Sequence, residues 1–233
     1  MNIKYLQIIL FSAMLMLTCC TNNKEILSTP TLEYVSIENT DKSWLEDTTC
    51  KSSCWYGMEI GRTTEEDAIN LIKSVKFVDP NPVREYGLGN LLNNDTGSKP
   101  NNKGLVFKCI QPKDKECVFL EFKDSILFCI AIKLNYDLHF SDVVTSIGPP
   151  DFVQANVLSS GTILGCQVIL IWNDRNLHVR SNEFNEETGR NACTEFYKNG
   201  FRPFKDMRIS EIEIDDGNTI KHFEKHNWNG FSE

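Results

Sequence analysis

The stretch from residue 105 to 134 constrains the fold more than any other part of the chain. Three strand-like apolar runs, at 105–110, 117–122 and 126–134, follow one another with short polar breaks. In the third, Ile126, Phe128, Ile130, Ile132 and Leu134 recur with a period of two, which predicts a core-facing strand. Gln111-Pro112-Lys113-Asp114-Lys115 reads as a turn between the first two runs. A hairpin there sets Cys109 opposite Cys117, alongside Phe107 and Phe119, within reach of a cross-strand disulfide. The chain therefore has to build a sheet.

Two helices flank such runs. Thr63 with Glu66 has capping-box spacing, Glu65, Glu66 and Asp67 place negative charge on the first turn, and Ala68, Ile69, Ile72 and Val75 recur at helical spacing. This helix is expected to stop before Asp79-Pro80-Asn81-Pro82. Residues 89–104, rich in Gly, Asn, Ser and Lys, then read as a long solvated loop. Phe140, Val143, Val144 and Ile147 form the stripe of a second helix, with Asp137 as its expected N-cap and Gly148-Pro149-Pro150 as its stop. Further strands are predicted at 152–158, 163–172, 177–180 and 207–214. In the last, Ile212 and Ile214 alternate with Glu211 and Glu213, as in a half-buried strand. Helix then three strands, twice, predicts an α+β fold. Two helix-plus-antiparallel-strand units, 46–136 and 137–233, pack as a helix-on-sheet domain, and the second ends in a polar C-terminal tail.

The first twenty residues look like an export signal. Lys4 gives a positive start, an apolar run follows, and Leu17-Thr18-Cys19-Cys20 closes it before the polar Thr21-Asn22-Asn23-Lys24. A spanning helix needs about 20 apolar residues, and this run is shorter and contains Gln7. An ordinary cleaved signal prefers small residues before the cut, which Leu-Thr-Cys does not supply. The segment resembles the bacterial lipobox, with Leu17, Thr18 and Cys20 in place and Cys19 departing from the usual small residue. Reading Met16-Leu17-Thr18-Cys19 instead puts a bulky Leu where a small residue is preferred. The resemblance implies a signal peptide at 1–19, a lipid on Cys20 and anchoring to the cell membrane or outer membrane on the extracytoplasmic side. Residues 20–45, polar and charged with Pro30, read as a flexible tether.

Nine cysteines fit an oxidising compartment. With Cys19 removed and Cys20 lipidated, Cys50, Cys54, Cys109, Cys117, Cys129, Cys166 and Cys193 remain, an odd set that leaves at least one free thiol. Cys50 with Cys54, and Cys109 with Cys117, are the disulfide candidates. A metal site is the rival reading for both pairs, although no second pair has zinc-ribbon spacing. Cys129 and Cys166 lie in apolar runs and read as buried small hydrophobes.

A net charge of −8 gives no electrostatic case for nucleic acid, nor for an anionic membrane face beyond the lipid. No Gly-x-Ser-x-Gly, phosphate loop or dinucleotide fingerprint occurs, so no catalytic residue and no cofactor is assigned. Trp55 and Tyr56 offer a candidate binding surface, against which stands a core role for Trp55, with Gly57 and Gly61 as turns. His222 and His226, four apart, would share a helix face suited to a metal, with Cys193 or Asp215 as a third ligand; a solvated tail is the competing reading, and no metal is assigned. Asn94-Asp95-Thr96 is formally a glycosylation sequon.

Cys50-Lys-Ser-Ser-Cys54-Trp55-Tyr56-Gly57 followed by Gly61-Arg62-Thr63 resembles the opening of a group of uncharacterised bacterial lipoproteins, which carry Cys, a short spacer, Cys-Trp, then Gly and Gly-x-Thr leading into a helix. Phe77-Val78-Asp79-Pro80 and the run from Asp142 through Gly148-Pro149-Pro150-Asp151 match that group too, whereas Ile60 stands where Pro is usual. More distantly, the chain is similar to small outer-membrane assembly lipoproteins. That resemblance implies helices on an antiparallel sheet and the binding of other proteins. The expected function is a lipid-anchored interaction module of the cell envelope with a protein partner. The alternative is an envelope enzyme or small-ligand receptor built from dispersed residues such as His139, His178 and Asp151.

Overall fold

The computed structural model describes residues 44, 53–87, 102–110, 115–134, 136–160, 163–183, 194, 196–217 and 224–232. The signal segment at 1–19, Cys20, the tether apart from Trp44, Cys50, the sequon at Asn94, Cys193 and His222 lie outside them. Among the described residues, no helix is long and apolar enough to cross a membrane.

A two-stranded hairpin, β1 (Cys54–Trp55) and β2 (Met58–Glu59), opens the fold and leads into helix α1 (Glu65–Ile72). Four strands follow: β3 (Val78–Gly87), β4 (Lys103–Cys109), β5 (Glu116–Lys123) and β6 (Ile126–Lys133). Helix α2 (Phe140–Ile147) precedes β7 (Phe152–Ser160), β8 (Ile163–Trp172), β9 (Leu177–Glu183) and β10 (Glu211–Asp215), and a short β11 (His226–Asn227) comes last. The nine strands from β3 onward form one antiparallel sheet in the order β11-β7-β8-β9-β10-β6-β5-β4-β3. It consists of two meanders, β3–β6 and β7–β10, whose last strands lie side by side at the centre.

Helix α1 is thus followed by four strands where the sequence pattern suggests three, and α2 by strands at the four predicted places and then by β11. The strand at 78–87 is hidden by Pro80 and Pro82, which normally argue against strand. Both are tolerated because β3 is an edge strand, where a missing N–H costs no ladder bond, and the register with β4 shifts on each side of Pro82. The expected loop at 89–104 also ends early, because Lys103 and Gly104 already belong to β4. A second register shift alters β6. Glu121 pairs with Cys129 and Phe122 with Leu127, so Phe128 is bulged out. Leu127, rather than Ile126 or Phe128, therefore joins Ile130 and Ile132 in the core.

One hydrophobic core holds the fold together. It joins Ala68 and Ile72 of α1 and Phe140 and Val143 of α2 to inward residues of every long strand, including Val78, Leu105, Phe107, Leu120, Ile130, Val153, Val168, Leu170, Val179 and Ile212. Both helices thus cover the same sheet face. Their starts are pinned alike. Thr64, which caps α1, bridges to Ile126 at the start of β6, and His139, which caps α2, bridges to Arg208 just before β10.

The caps differ from those the sequence suggests. Thr64 Oγ1 accepts from Asp67 N at 3.2 Å and donates to Asp67 Oδ2 at 2.7 Å, while Thr63 Oγ1 accepts from Glu59 N. Thr63 is taken up by the strand side, its carbonyl accepting from Leu127 N, so the capping role moves one residue on. At α2, Asp142 accepts from His139 N at 2.9 Å, and Asp137 instead pairs with Arg208. Gly148, at φ +90°, closes the helix as expected.

Among the described residues, the expected polar tail includes a segment, 224–232, that packs on the fold. His226 pairs with Val153 and stacks on Phe201, and Trp228 and Phe231 pack against the core. Trp44 is likewise buried, its Nε1 donating to Tyr136 Oη at 3.2 Å.

Candidate functional site

The residues singled out in the sequence fall into structural roles. The Cys109–Cys117 disulfide is present, with Cα atoms 5.5 Å apart across β4 and β5; Phe107 faces Val118 rather than Phe119, because the register shifts next to the bridge. Cys54 is disulfide-bonded, its expected partner Cys50 lying outside the described residues. Cys129 is a buried free thiol. Cys166, expected as a free hydrophobe, is buried but disulfide-bonded.

Trp55 is fully buried and meets Tyr56 and Phe77 edge to face. Tyr56 and Gly57, both at positive φ, make the tight turn between β1 and β2, and Gly61 takes positive φ before α1. Trp55 therefore belongs to the main core, in the same cluster as Ala68 and Ile72 of α1, while Tyr56 stays half-exposed.

His139, His178 and Asp151 are not brought together. His139 sits between Asp137 and Asp142 at the start of α2, at 3.7 and 3.6 Å. Asp151 accepts from Asn173 N at 2.8 Å, holding the turn between β8 and β9. A shallow depression beside α1, bordered by Glu59, Arg62, Asp67 and Asn70, gathers no convergent set of groups.

His178 belongs to a different group, on the sheet face opposite the helices. Strand alternation sends Ile212 and Ile214 of β10 to the core, so Glu211, Glu213 and Asp215 point to the other face, as do His178 and Arg180 of β9. The register sets Glu213 directly opposite His178 and Glu211 opposite Arg180. These side chains are not solvated: His178 is 4% exposed, Glu213 5% and Asp215 0%. The expectation of a half-buried β10 thus holds for its pattern and fails for its burial.

His178 Nδ1 lies 3.8 Å from Glu213 Oε1 and 3.7 Å from Asp215 Oδ2, too far for hydrogen bonds. The other carboxylate oxygens are engaged. Glu213 Oε2 pairs with Arg180 Nη2, and Asp215 Oδ1 accepts from Gly217 N at 2.7 Å. Arg180 also donates to Glu211 Oε1 at 3.1 Å. Among the described residues, His178, Glu213 and Asp215 form a set whose ligand atoms all fall within 4.8 Å of one another.

Burial works upward on the Glu213 carboxyl, but His178 and Arg180 outweigh it and hold the group below its ordinary range. Burial raises Glu211 against the pull of Arg180, and raises Glu121 against the Tyr86 hydroxyl that donates to it at 2.9 Å. Cys129, opposite Asp215 in the register, is pushed well above its ordinary value by burial and then by Glu213, Glu121 and Asp215. This is a neutral, inert thiol.

Sequence reasoning named His178 and, in another context, Asp215, but missed their partnership with Glu213. The signal was the continuation of the Glu211/Glu213 alternation to Asp215; the missing information was the register against β9. No family model, curated protein or solved structure matches the chain.

Proposed function

We propose that the chain is a lipid-anchored extracytoplasmic protein of the cell envelope that acts as a protein-interaction module. The observation that carries the placement is its cystine content: four of the five described cysteines, Cys54, Cys109, Cys117 and Cys166, are disulfide-bonded. Such density suits an oxidising compartment and is foreign to a reducing cytosol. The lipobox-like Leu17-Thr18-Cys19-Cys20 and the Cys-Trp-Tyr-Gly opening support the same address.

The fold is an internal duplication of one α-plus-four-strand unit. Supporting this are the two matching meanders, their antiparallel junction through β6 and β10, and the like bridging of the two helix caps. The docking edge is the outer side of β7. Beyond Val153 it has no strand partner among the described residues, and Val157 is 56% exposed there. The opposite edge, β3, is blunted by Pro80 and Pro82. A partner strand would add to β7.

Crosslinking in intact membranes followed by affinity capture tests the reading. A discrete protein partner, lost in Val157→Arg, is the expected result, whereas no captured protein from wild-type membranes contradicts it. Cys20→Ala should release the protein from membranes, and unchanged fractionation and processing would refute the anchor.

A further inference from the structure

The geometry points to a divalent-cation site formed by His178 Nδ1, Glu213 Oε1 and Asp215 Oδ2 between β9 and β10. The inference rests on this face of the sheet alone and is independent of the anchor and of the edge of β7.

All three atoms are buried and lack hydrogen-bond partners. Buried polar atoms are nearly always paired, so three orphans converging on one point need an explanation. They are also held in place. Arg180 and Gly217 each fix the second oxygen of one carboxylate and leave the first aimed at the imidazole. Partners of this kind orient the ligands of metal centres.

Spacing agrees. Ligands about 2.0–2.1 Å from an ion at tetrahedral angles stand about 3.3–3.4 Å apart. The two separations from His178, 3.7 and 3.8 Å, exceed hydrogen-bond length and come within about 0.4 Å of that spacing, and all three atoms lie within 4.8 Å of one another. Charge agrees as well. Glu211, Glu213 and Asp215 line up along β10, and the Arg180 guanidinium is shared between the first two, which leaves Asp215 without a guanidinium. A buried carboxylate needs a counter-charge. One imidazole nitrogen and two carboxylate oxygens suit a first-row divalent ion such as Zn²⁺ or Mn²⁺, and three protein ligands leave a fourth position open. The rival arrangement, an imidazolium between two carboxylates, also supplies counter-charge at ion-pair distances of 3.7 and 3.8 Å but leaves Nδ1 without a partner at hydrogen-bond length, and metal uptake separates the two.

The test uses the mature, disulfide-bonded chain, stripped of metal with a chelator and equilibrated to constant content with Zn²⁺, and in parallel with Mn²⁺. Elemental analysis is expected to give about one ion per chain for the wild type with one of the two metals. Asp215→Asn and His178→Gln should weaken binding about 10-fold or more. His139→Gln, which alters a half-buried His between two carboxylates, should leave it unchanged. Nitrogen and proton NMR of the imidazoles gives a readout on the wild type that needs no folded site variant. The chain has four histidines, and the His178 ring resonances should move when the ion is added. Absence of saturable uptake of either metal by the wild type overturns the proposal. So does uptake that follows His139, or an ion that leaves the His178 resonances in place.

Discussion

Replacing Cys109 and Cys117 together by alanine gives a loss of stability that can be worked from the structure. The bridge closes a loop of sequence separation 8 between adjacent strands. Loop closure of that length restrains the unfolded chain by about 2.5 kcal/mol at 25 °C. Both sulfurs are buried in the main core, at 3% and 2% exposure, and removing them adds about 0.8 kcal/mol each by analogy with a buried methylene. The double variant should therefore lose about 4 kcal/mol. For a domain of this size each kcal/mol moves the midpoint by about 2–4 °C, so melting should fall by about 8–16 °C. Urea unfolding followed by circular dichroism measures the free energy. The slope m should also rise, because the unfolded variant exposes more surface without the bridge. A loss below about 1 kcal/mol with unchanged m would refute the reasoning, since the hairpin would then be held by its strand pairing alone. Free thiols at both positions in the native protein would refute the bridge itself.

Three further outcomes are expected. Trp55→Ala empties a fully buried space in the main core and should cost about 3–5 kcal/mol in denaturant unfolding, whereas Trp55→Phe should cost clearly less. Gly104→Ala places a Cβ inside the ring of Tyr86, which lies across that glycine, and should displace the Tyr86–Glu121 hydrogen bond at a cost of about 1–3 kcal/mol. Glu121→Gln should stabilise the protein at neutral pH and make little difference in acid. Because burial raises the Glu121 pKa above its unfolded value, the folded state binds the extra proton, and this group's contribution worsens as pH rises from the ordinary carboxylate range through the raised value. Unfolding free energies of the two chains from pH 4 to 8 check the sign.

What could be read from the sequence followed from short-range physics. The period of two at Ile130 and Ile132, the facing Cys109 and Cys117 and the Gly148-Pro149-Pro150 stop are local signals, and each holds in the structure. What escaped depended on tertiary context. Pro80 and Pro82 conceal β3 because only its place at the sheet edge makes them tolerable. The bulge at Phe128 moves Leu127 to the core face, a shift set by pairing with β5. His226 enters the sheet by two residues, too few for any periodicity. The His178 group is the clearest case. Glu211, Glu213 and Asp215 alternate with isoleucine as in a strand facing water, and only the β9 register and the burial of the second face turn them into an interior cluster.

The intact mass of the protein extracted from membranes in detergent, under non-reducing conditions, tests the central claim most directly. The expected mass is that of a chain beginning at Cys20 that carries a diacylglyceryl group and an amide-linked acyl chain, lighter by a pair of hydrogens for each disulfide. A mass equal to the unprocessed chain from Met1, with no acyl increment and every thiol reduced, contradicts it.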